Sequence, residues 1–331
     1  MTSSMEGGVG DYTRLLADEC KVLGHEVALL AEMNLHAREF VDAFAPDAVS
    51  LQFVCYGYHS RGLCWRAVDD LRRILGARPV QLMLHELWLG GELRASWKDR
   101  IIGWLQRRCV MRLYSQLNIR RTFTTNPAYA TLLRRRGVDA GVLPLFGNVP
   151  SPQTPARMER AEPWRFLIFG TLHPVWPPEP LFTHLRALGV PVEIWHAGRI
   201  GSGAALWERM THDFTGTLAF RKLGPISPEQ LAEIFADVDF GIATTPWEII
   251  GKSGSVAAML EHGLPVIVNR DDVHFAGWSE RGCSPLLIKM DESLSAKLAA
   301  ARRRTPRSIL PEVASQFLAD IGHPPANSRD E

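Results

Sequence analysis

Short apolar runs of strand length alternate with segments of helical period along the chain, and this constrains the fold more than any other feature. In the first half HEVALLAEM (25–33), DAVSLQFV (47–54) and PVQLMLHE (79–86) read as strands. TRLLADECKVLG (13–24), LCWRAVDDLRRILGA (63–77) and ELRASWKDRIIGWLQRRCVMRLYSQ (92–116) space their apolar residues as a helix does. TFTTNPAYATLLRRRG (122–137) reads as a strand followed by a helix, with Pro127 near its first turn. The pattern then restarts. RFLIFG (165–170), PVEIWHAG (191–198), DFGIATT (239–245) and LPVIVN (264–269) read as strands. Residues 178–189, 205–214, 227–238 and 253–263 read as helices, and Ser227, Pro228 and Gln230 stand where a capping box needs them. Such alternation means α/β layers with mostly parallel sheets.

Between the halves, SPQTPARMERAEPW (151–164) is Pro-rich, polar and without apolar period, which marks a linker. The expected organisation is an N-terminal domain over 1–150, the linker, a C-terminal domain over 165–303, and a closing helix with a tail over 304–331. Ligands of open parallel sheets bind beyond the carboxyl ends of the strands. Two such domains are therefore expected to face each other across a cleft.

Composition removes several classes. The chain has 331 residues, 46% of them apolar, and a net charge of +1, the opposite of a disordered signature. Its apolar runs fall well short of the roughly 18–20 residues that span a bilayer, and MTSSMEGGVG lacks the basic and apolar regions of a secretory leader. Cys20, Cys55, Cys64, Cys109 and Cys283 are scattered without a CxxC pair, so the expectation is reduced thiols in a cytoplasm. Charge is uneven: residues 61–136 hold fifteen Arg and one Lys against five acids. That half suits an anionic partner, although a solvated face in an Arg-rich chain accounts for it as well.

Three features carry candidate chemistry. GGVGDYTRLLA (7–17) puts Gly7, Gly8 and Gly10 before an amphipathic helix, where free amides favour an anion, or where a plain loop needs glycine. Only six residues precede Gly7, so the strand that should lead into it is expected to be missing or cut short. LMLHELW (82–88) sets His85 and Glu86 at a strand's carboxyl end, as a site residue or as a satisfied structural histidine. In TTPWEIIGKSGSVAAMLEHGLPVIV (244–268), Glu248 is followed by Gly251, Lys252, Ser253, Gly254 and Ser255 at a helix start, which suits a phosphate. A Walker A loop would need Gly or Ala where Pro246 stands, and proline removes the required amide. Asp237-Val238-Asp239 precedes a strand instead of following it and reads as structural.

In their order, GGVGDYTRLLADECKVLGHEV, LHELW, TTNPAYATLLRRRG with VLPLFGNVP, RFLIFG, and LGPISPEQLAEIFADVDFGIATTPWE with MLEHGLPVIV make the whole chain resemble a GT-B glycosyltransferase of the large retaining family four. The resemblance implies two Rossmann-like domains and a nucleotide-sugar donor. It also implies a glycan or lipid-linked acceptor in a bacterial surface-polysaccharide or glycolipid setting, and transfer with retention, without metal or cofactor. By resemblance, Gly7, Gly8 and Gly10 lie near the donor diphosphate and His85 lines the reaction centre. Glu248 holds donor sugar hydroxyls, and residues 249–255 hold sugar and phosphates, with Lys252 neutralising the diphosphate. Val256 stands where the family has a second Glu, which leaves Glu261 as a substitute or, on the favoured reading, a surface residue; Thr171 and Trp176 stand near its usual Arg and Lys, which leaves Lys252, Arg199 and the helix dipole to stabilise the leaving diphosphate. In this family the first domain takes the acceptor. Residues 92–113 bring Trp97, Ile101, Trp104 and Leu105 to one side among basic residues, which fits peripheral contact with an anionic membrane, or equally a core helix with a basic outer face. No helix-turn-helix, RNA-recognition or zinc-finger pattern is present, so nucleic acid is not an expected partner.

Overall fold

A computed structural model describes residues 1–2, 7–31, 33–34, 36–152, 156–280 and 283–322. They divide into two units: Met1–Leu145 with His274–Ser279 and the chain from Ile309 onward, and Phe146–Val273 with Glu280–Ser308.

The first unit opens with helices α1 (Gly7–Val22) and α2 (Ala37–Phe44). A repeated strand–helix run follows: β1 (Val49–Phe53), α3 (Trp65–Leu75), β2 (Pro79–Leu84), α4 (Trp97–Gln116), β3 (Asn118–Thr124), α5 (Pro127–Arg134) and β4 (Gly141–Val142). The four strands are parallel and lie in chain order. Leu51 pairs with Leu82 and Met83 with Phe123, and these side chains are buried on both faces of the sheet. Such strands read as unbroken apolar runs because helices cover both sides.

The expected strand over 25–33 is extended chain without a ladder among its described residues. A two-residue stub lies between it and β1: Thr2 N donates to Leu30 O (3.0 Å) and Gln52 N donates to Met1 O (2.8 Å). Helix α4 starts at Trp97, five residues later than its periodicity suggests, because Ser96 caps it by accepting from Asp99 N at 3.1 Å. Asn126 caps α5 in the same way at 2.7 Å, directly before Pro127.

The second unit comprises β5 (Trp164–Phe169), α6 (Glu179–Arg186), β6 (Val192–Ala197), α7 (Ala204–Asp213), β7 (Ala219–Gly224), α8 (Pro228–Asp237), β8 (Phe240–Ala243), α9 (Gly254–Glu261), β9 (Val266–Val268), β10 (Leu287–Lys289) and α10 (Leu294–Ala300). Its six strands are parallel in the order β10-β9-β8-β5-β6-β7. The chain runs outward from β5 to β7, returns to the far side of β5, and runs outward again to β10. Strand direction of travel therefore reverses between β5 and β8. Phe166 and Phe240 stack there at 5.0 Å and head a core that includes Ile194, Ile242, Phe182 and Trp176. The capping box at Ser227 and Gln230 is formed. Described residues of the expected linker bind this unit, since Arg157 pairs with Asp239 at 2.8 Å and Arg160 donates to Leu298 O at 2.7 Å. The last helix, α11 (Leu310–Asp320), packs on α1 in the first unit.

One buried cation secures the second unit. Arg303 donates to the carbonyls of Phe235, Ala236 and Val238 at the end of α8, and to that of His262 at the end of α9, at 2.7–3.1 Å. Its guanidinium thus meets the negative ends of two helix dipoles while satisfying their last acceptors. Ala236 O also accepts from Arg157 N at 2.9 Å, so Arg303→Leu takes the Arg303 bond from the carbonyls of Phe235, Val238 and His262 at about 1–3 kcal/mol each, and denaturant unfolding should show a loss of about 3 kcal/mol or more. A loss under about 0.5 kcal/mol, the range of an unconstrained surface change, would refute this role.

Candidate functional site

In the first unit the glycines lie inside helix α1, not in a loop ahead of it. Gly7 begins the helix with φ +76°, and space is open around Gly7 and Gly8. Their early-turn amides have no intrahelical partner, and no acidic side chain of the first turn meets them. One turn further, Tyr12 is buried and sets its ring edge-on to His85, with centroids 4.9 Å apart. This contact joins the glycine turn to the carboxyl end of β2.

His85 is buried and oriented by a polar chain. Ser50 Oγ donates to Gln81 Oε1 (2.6 Å) and accepts from Gln52 Nε2 (2.7 Å), which turns Gln52 Oε1 toward His85 Nε2 at 2.8 Å. Gln52 thereby fixes the orientation of the imidazole ring through Nε2. Burial lowers the imidazole pKa to about 4, so it is neutral near pH 7. A neutral, aimed histidine orients a hydroxyl without adding charge.

In the second unit the loop after β8 carries most of the predicted groups. Residues Trp247–Lys252 form a 3-10 turn that contains Glu248 and Gly251, both partly buried, and ends at Lys252. Trp247 anchors the turn: its backbone N donates to Arg270 O (2.9 Å) and its indole to Glu280 Oε1 (3.1 Å). Ser253 caps α9, its Oγ 3.1 Å from Ser255 Oγ, and Gly254 stands open to solvent at the helix start. Gly170, φ +86° at the end of β5, faces that start, since a Cβ there would lie 3.8 Å from Ser255 Cβ. Thr244 Oγ1 donates to Thr171 O at 3.4 Å, tying the two loops together. Arg199 is exposed on the loop after β6, at the same carboxyl edge.

Two further groups at this edge escaped the sequence reading. Arg270, after β9, is buried in a two-pronged pair with Asp272 (2.9 and 2.8 Å) and reaches Thr244 O at 3.4 Å. His173, after β5, is held below the ordinary imidazole range by partial burial and by the nearby cations Arg270 and Lys252. Both follow strand ends in an α/β domain, the one sequence signal that points to them. Trp176, near the family's usual Lys position, is a core residue whose indole donates to Asn269 Oδ1 at 2.5 Å. Glu261 ends α9 beside Gly147, about 12 Å along the helix from Ser253, and does not take the second Glu's place at the helix start. Asp237 and Asp239 pair with Arg165 and Arg157 at the opposite, amino edge of the sheet.

No protein-family model matches the chain, and no curated protein sequence matches it. Solved structures do. Sucrose-phosphate synthase from Thermosynechococcus elongatus matches with a TM-score of 0.56 at 13% identity, covering 96% of this chain and 90% of that one. The lipopolysaccharide outer core galactosyltransferase WaaB matches with a TM-score of 0.53 at 15% identity, covering 86% and 75%. Anabaena HepE, solved in complex with UDP-glucose, matches with a TM-score of 0.53 at 15% identity, covering 97% and 93%. This is the fold of the GT-B glycosyltransferases. In the second unit the predicted phosphate loop follows β8, one of the two strands at the reversal where open α/β sheets bind ligands. His85 and Glu248 lie in different units of this fold.

The burial of His85 has a consequence for folding. Between pH 6.5 and about 4 the unfolded chain binds a proton that the folded site refuses. Stability should fall as pH drops through that window, by up to about 3 kcal/mol, and be fully present above it. His85→Gln should flatten this part of the stability–pH curve; a slope equal to that of the unsubstituted protein would contradict a neutral His85.

Proposed function

We propose that the chain transfers a sugar from a nucleotide-sugar donor to a glycan or lipid-linked acceptor, with retention and without a metal. One observation carries the reading. At the strand reversal of the second unit, a helix start free of acidic residues and Lys252 stand beside the half-buried Glu248, with His173 and the Arg270–Asp272 pair on the same edge. Such a rim complements a diphosphate joined to a hydroxyl-rich ring. The Ser253 amide, expected to meet an anion, instead donates to Ile250 O at 3.0 Å, so the amides of 254 and 255 with Lys252 meet the phosphates, and Glu248 accepts from sugar hydroxyls.

In this transfer the bond from the anomeric carbon to the diphosphate oxygen breaks, and its electron pair leaves with the nucleoside diphosphate. The acceptor oxygen bonds to the same face, and its proton passes to the departing phosphate oxygen. The protein then contributes position and fixed charge in place of a nucleophile. In the first unit, the glycine turn and neutral His85 are the groups suited to orient donor and acceptor oxygens.

A second reading, binding without turnover, is favoured by Thr171 and Trp176, which leave the loop after β5 without the family's two cations.

Thermal unfolding against UDP, GDP and ADP, their sugar conjugates and Mg-ATP, with and without EDTA, tests the donor. Saturation at 100 times Kd should stabilise by about 2.7 kcal/mol. A metal-independent rise with one sugar nucleotide supports the reading; a rise with Mg-ATP alone moves it to a P-loop enzyme. Glu248→Ala and Lys252→Ala should each lower sugar-nucleotide turnover by about 10²-fold, the scale of one lost transition-state contact. Binding with no turnover would favour the second reading.

A further inference from the structure

Helix α4 is apolar on two opposite faces. Gly103, Gln106, Cys109, Val110 and Leu113 are buried. On the reverse face Trp97, Ile101 and Trp104 recur at i, i+4 and i+7 and are 68%, 54% and 42% exposed. Ile102, 38% exposed, lies about 100° around the helix from Ile101 and outside the stripe, whereas Leu105, expected in the stripe, is half-buried. The turn before the helix adds Leu89 and Leu93. Six of the ten exposed large apolar side chains of the described residues thus fall within 89–104.

This patch is built into the fold. A Cβ on Gly103 would lie 1.7 Å from Leu89 O, so the turn rests directly on the helix. Gln106 accepts from Leu89 N at 2.9 Å while donating to Tyr56 Oη and Arg61 O, both at 2.9 Å. Arg100 donates to Leu93 O (3.0 Å) and Ala95 O (3.2 Å), so Leu89 and Leu93 are held beside the outer stripe.

Cations frame it. Residues 89–112 carry Arg94, Lys98, Arg100, Arg107, Arg108 and Arg112 against Glu92 and Asp99. The Arg108 guanidinium lies 3.9 Å from the Trp104 ring centroid, keeping charge at the apolar surface. Tryptophan and aliphatic side chains inside a rim of Arg and Lys match the boundary between acyl chains and anionic headgroups. A second copy would bring like charge onto like charge. Single-stranded nucleic acid stacks on Trp but gains little from Ile101, Ile102 and Leu93.

We propose that the outer face of α4, with the turn at 89–95, docks the protein on an anionic lipid bilayer. This surface uses none of the donor-site residues.

The test is co-sedimentation of the full chain with vesicles of phosphatidylcholine alone or mixed with phosphatidylglycerol. Binding is expected to the anionic vesicles only and to fall with added salt. Arg94→Ser and Lys98→Ser should each weaken it about fivefold, and Trp97→Ala with Trp104→Ala by about tenfold or more. These side chains are exposed, so the unfolding midpoint and nucleotide binding of the variants should match the parent. Absence of binding by the folded parent overturns the inference while leaving the donor reading intact. So does a Trp-dependent dimer, or retention on single-stranded oligonucleotide, with no vesicle binding.

Discussion

Every strand of both sheets runs parallel to its neighbours, and the rest of the structure depends on that constraint. A parallel strand must be followed by a crossover, so the chain leaves each strand at the same edge of the sheet and returns at the other. Loops that follow strands therefore collect along one edge, whatever their sequence. In the second unit this gathers Gly170, Arg199, Thr244 with Glu248, and Arg270 from four strands. Reversal of the strand order between β5 and β8 then opens the crowded edge at one place, because the loops after these two strands diverge to opposite sides.

Chemistry at that edge is assembled from weak local preferences. Gly170 adopts φ +86° and brings no Cβ toward Ser255, so the β5 loop passes close to the start of α9. Ser253 caps the helix and leaves its first amides facing outward. Trp247 pins the turn between them to Arg270 O and Glu280. In the first unit the same economy of parts holds His85: Gln52 and Ser50 on β1 and Gln81 on β2 form one directed hydrogen-bond chain across adjacent strands. Each residue there is polar in an otherwise apolar strand, and an unmade bond would be costly at such burial.

Central strands were legible in the sequence because burial on both faces leaves an unbroken apolar run. The edge strands of the second sheet were not. β7 (AFRKLG) is mostly exposed and carries Arg221 and Lys222, and β10 is three residues long. HEVALLAEM shows the opposite failure, since its period is strand-like but its described residues join no ladder. Of the candidate site, Glu248 and Lys252 through Ser255 were visible as a Gly-Lys-Ser-Gly-Ser run at a helix start. His173 and Arg270 are single polar residues in loops, and no spacing in the sequence relates one to the other.

The amino-acid sequence by itself determined the α/β class, the capping box at Ser227 and the glycine-rich starts of α1 and α9. These are local matters of period, propensity and short-range hydrogen bonding. Tertiary structure alone decided which strands adjoin, and hence where the strand order reverses. It also decided that His85 is neutral, because burial among Tyr12 and Gln52 sets its pKa. And it decided that the Trp97–Ile101–Trp104 stripe faces outward, because α4 has two apolar faces and the periodicity alone does not say which one the sheet covers.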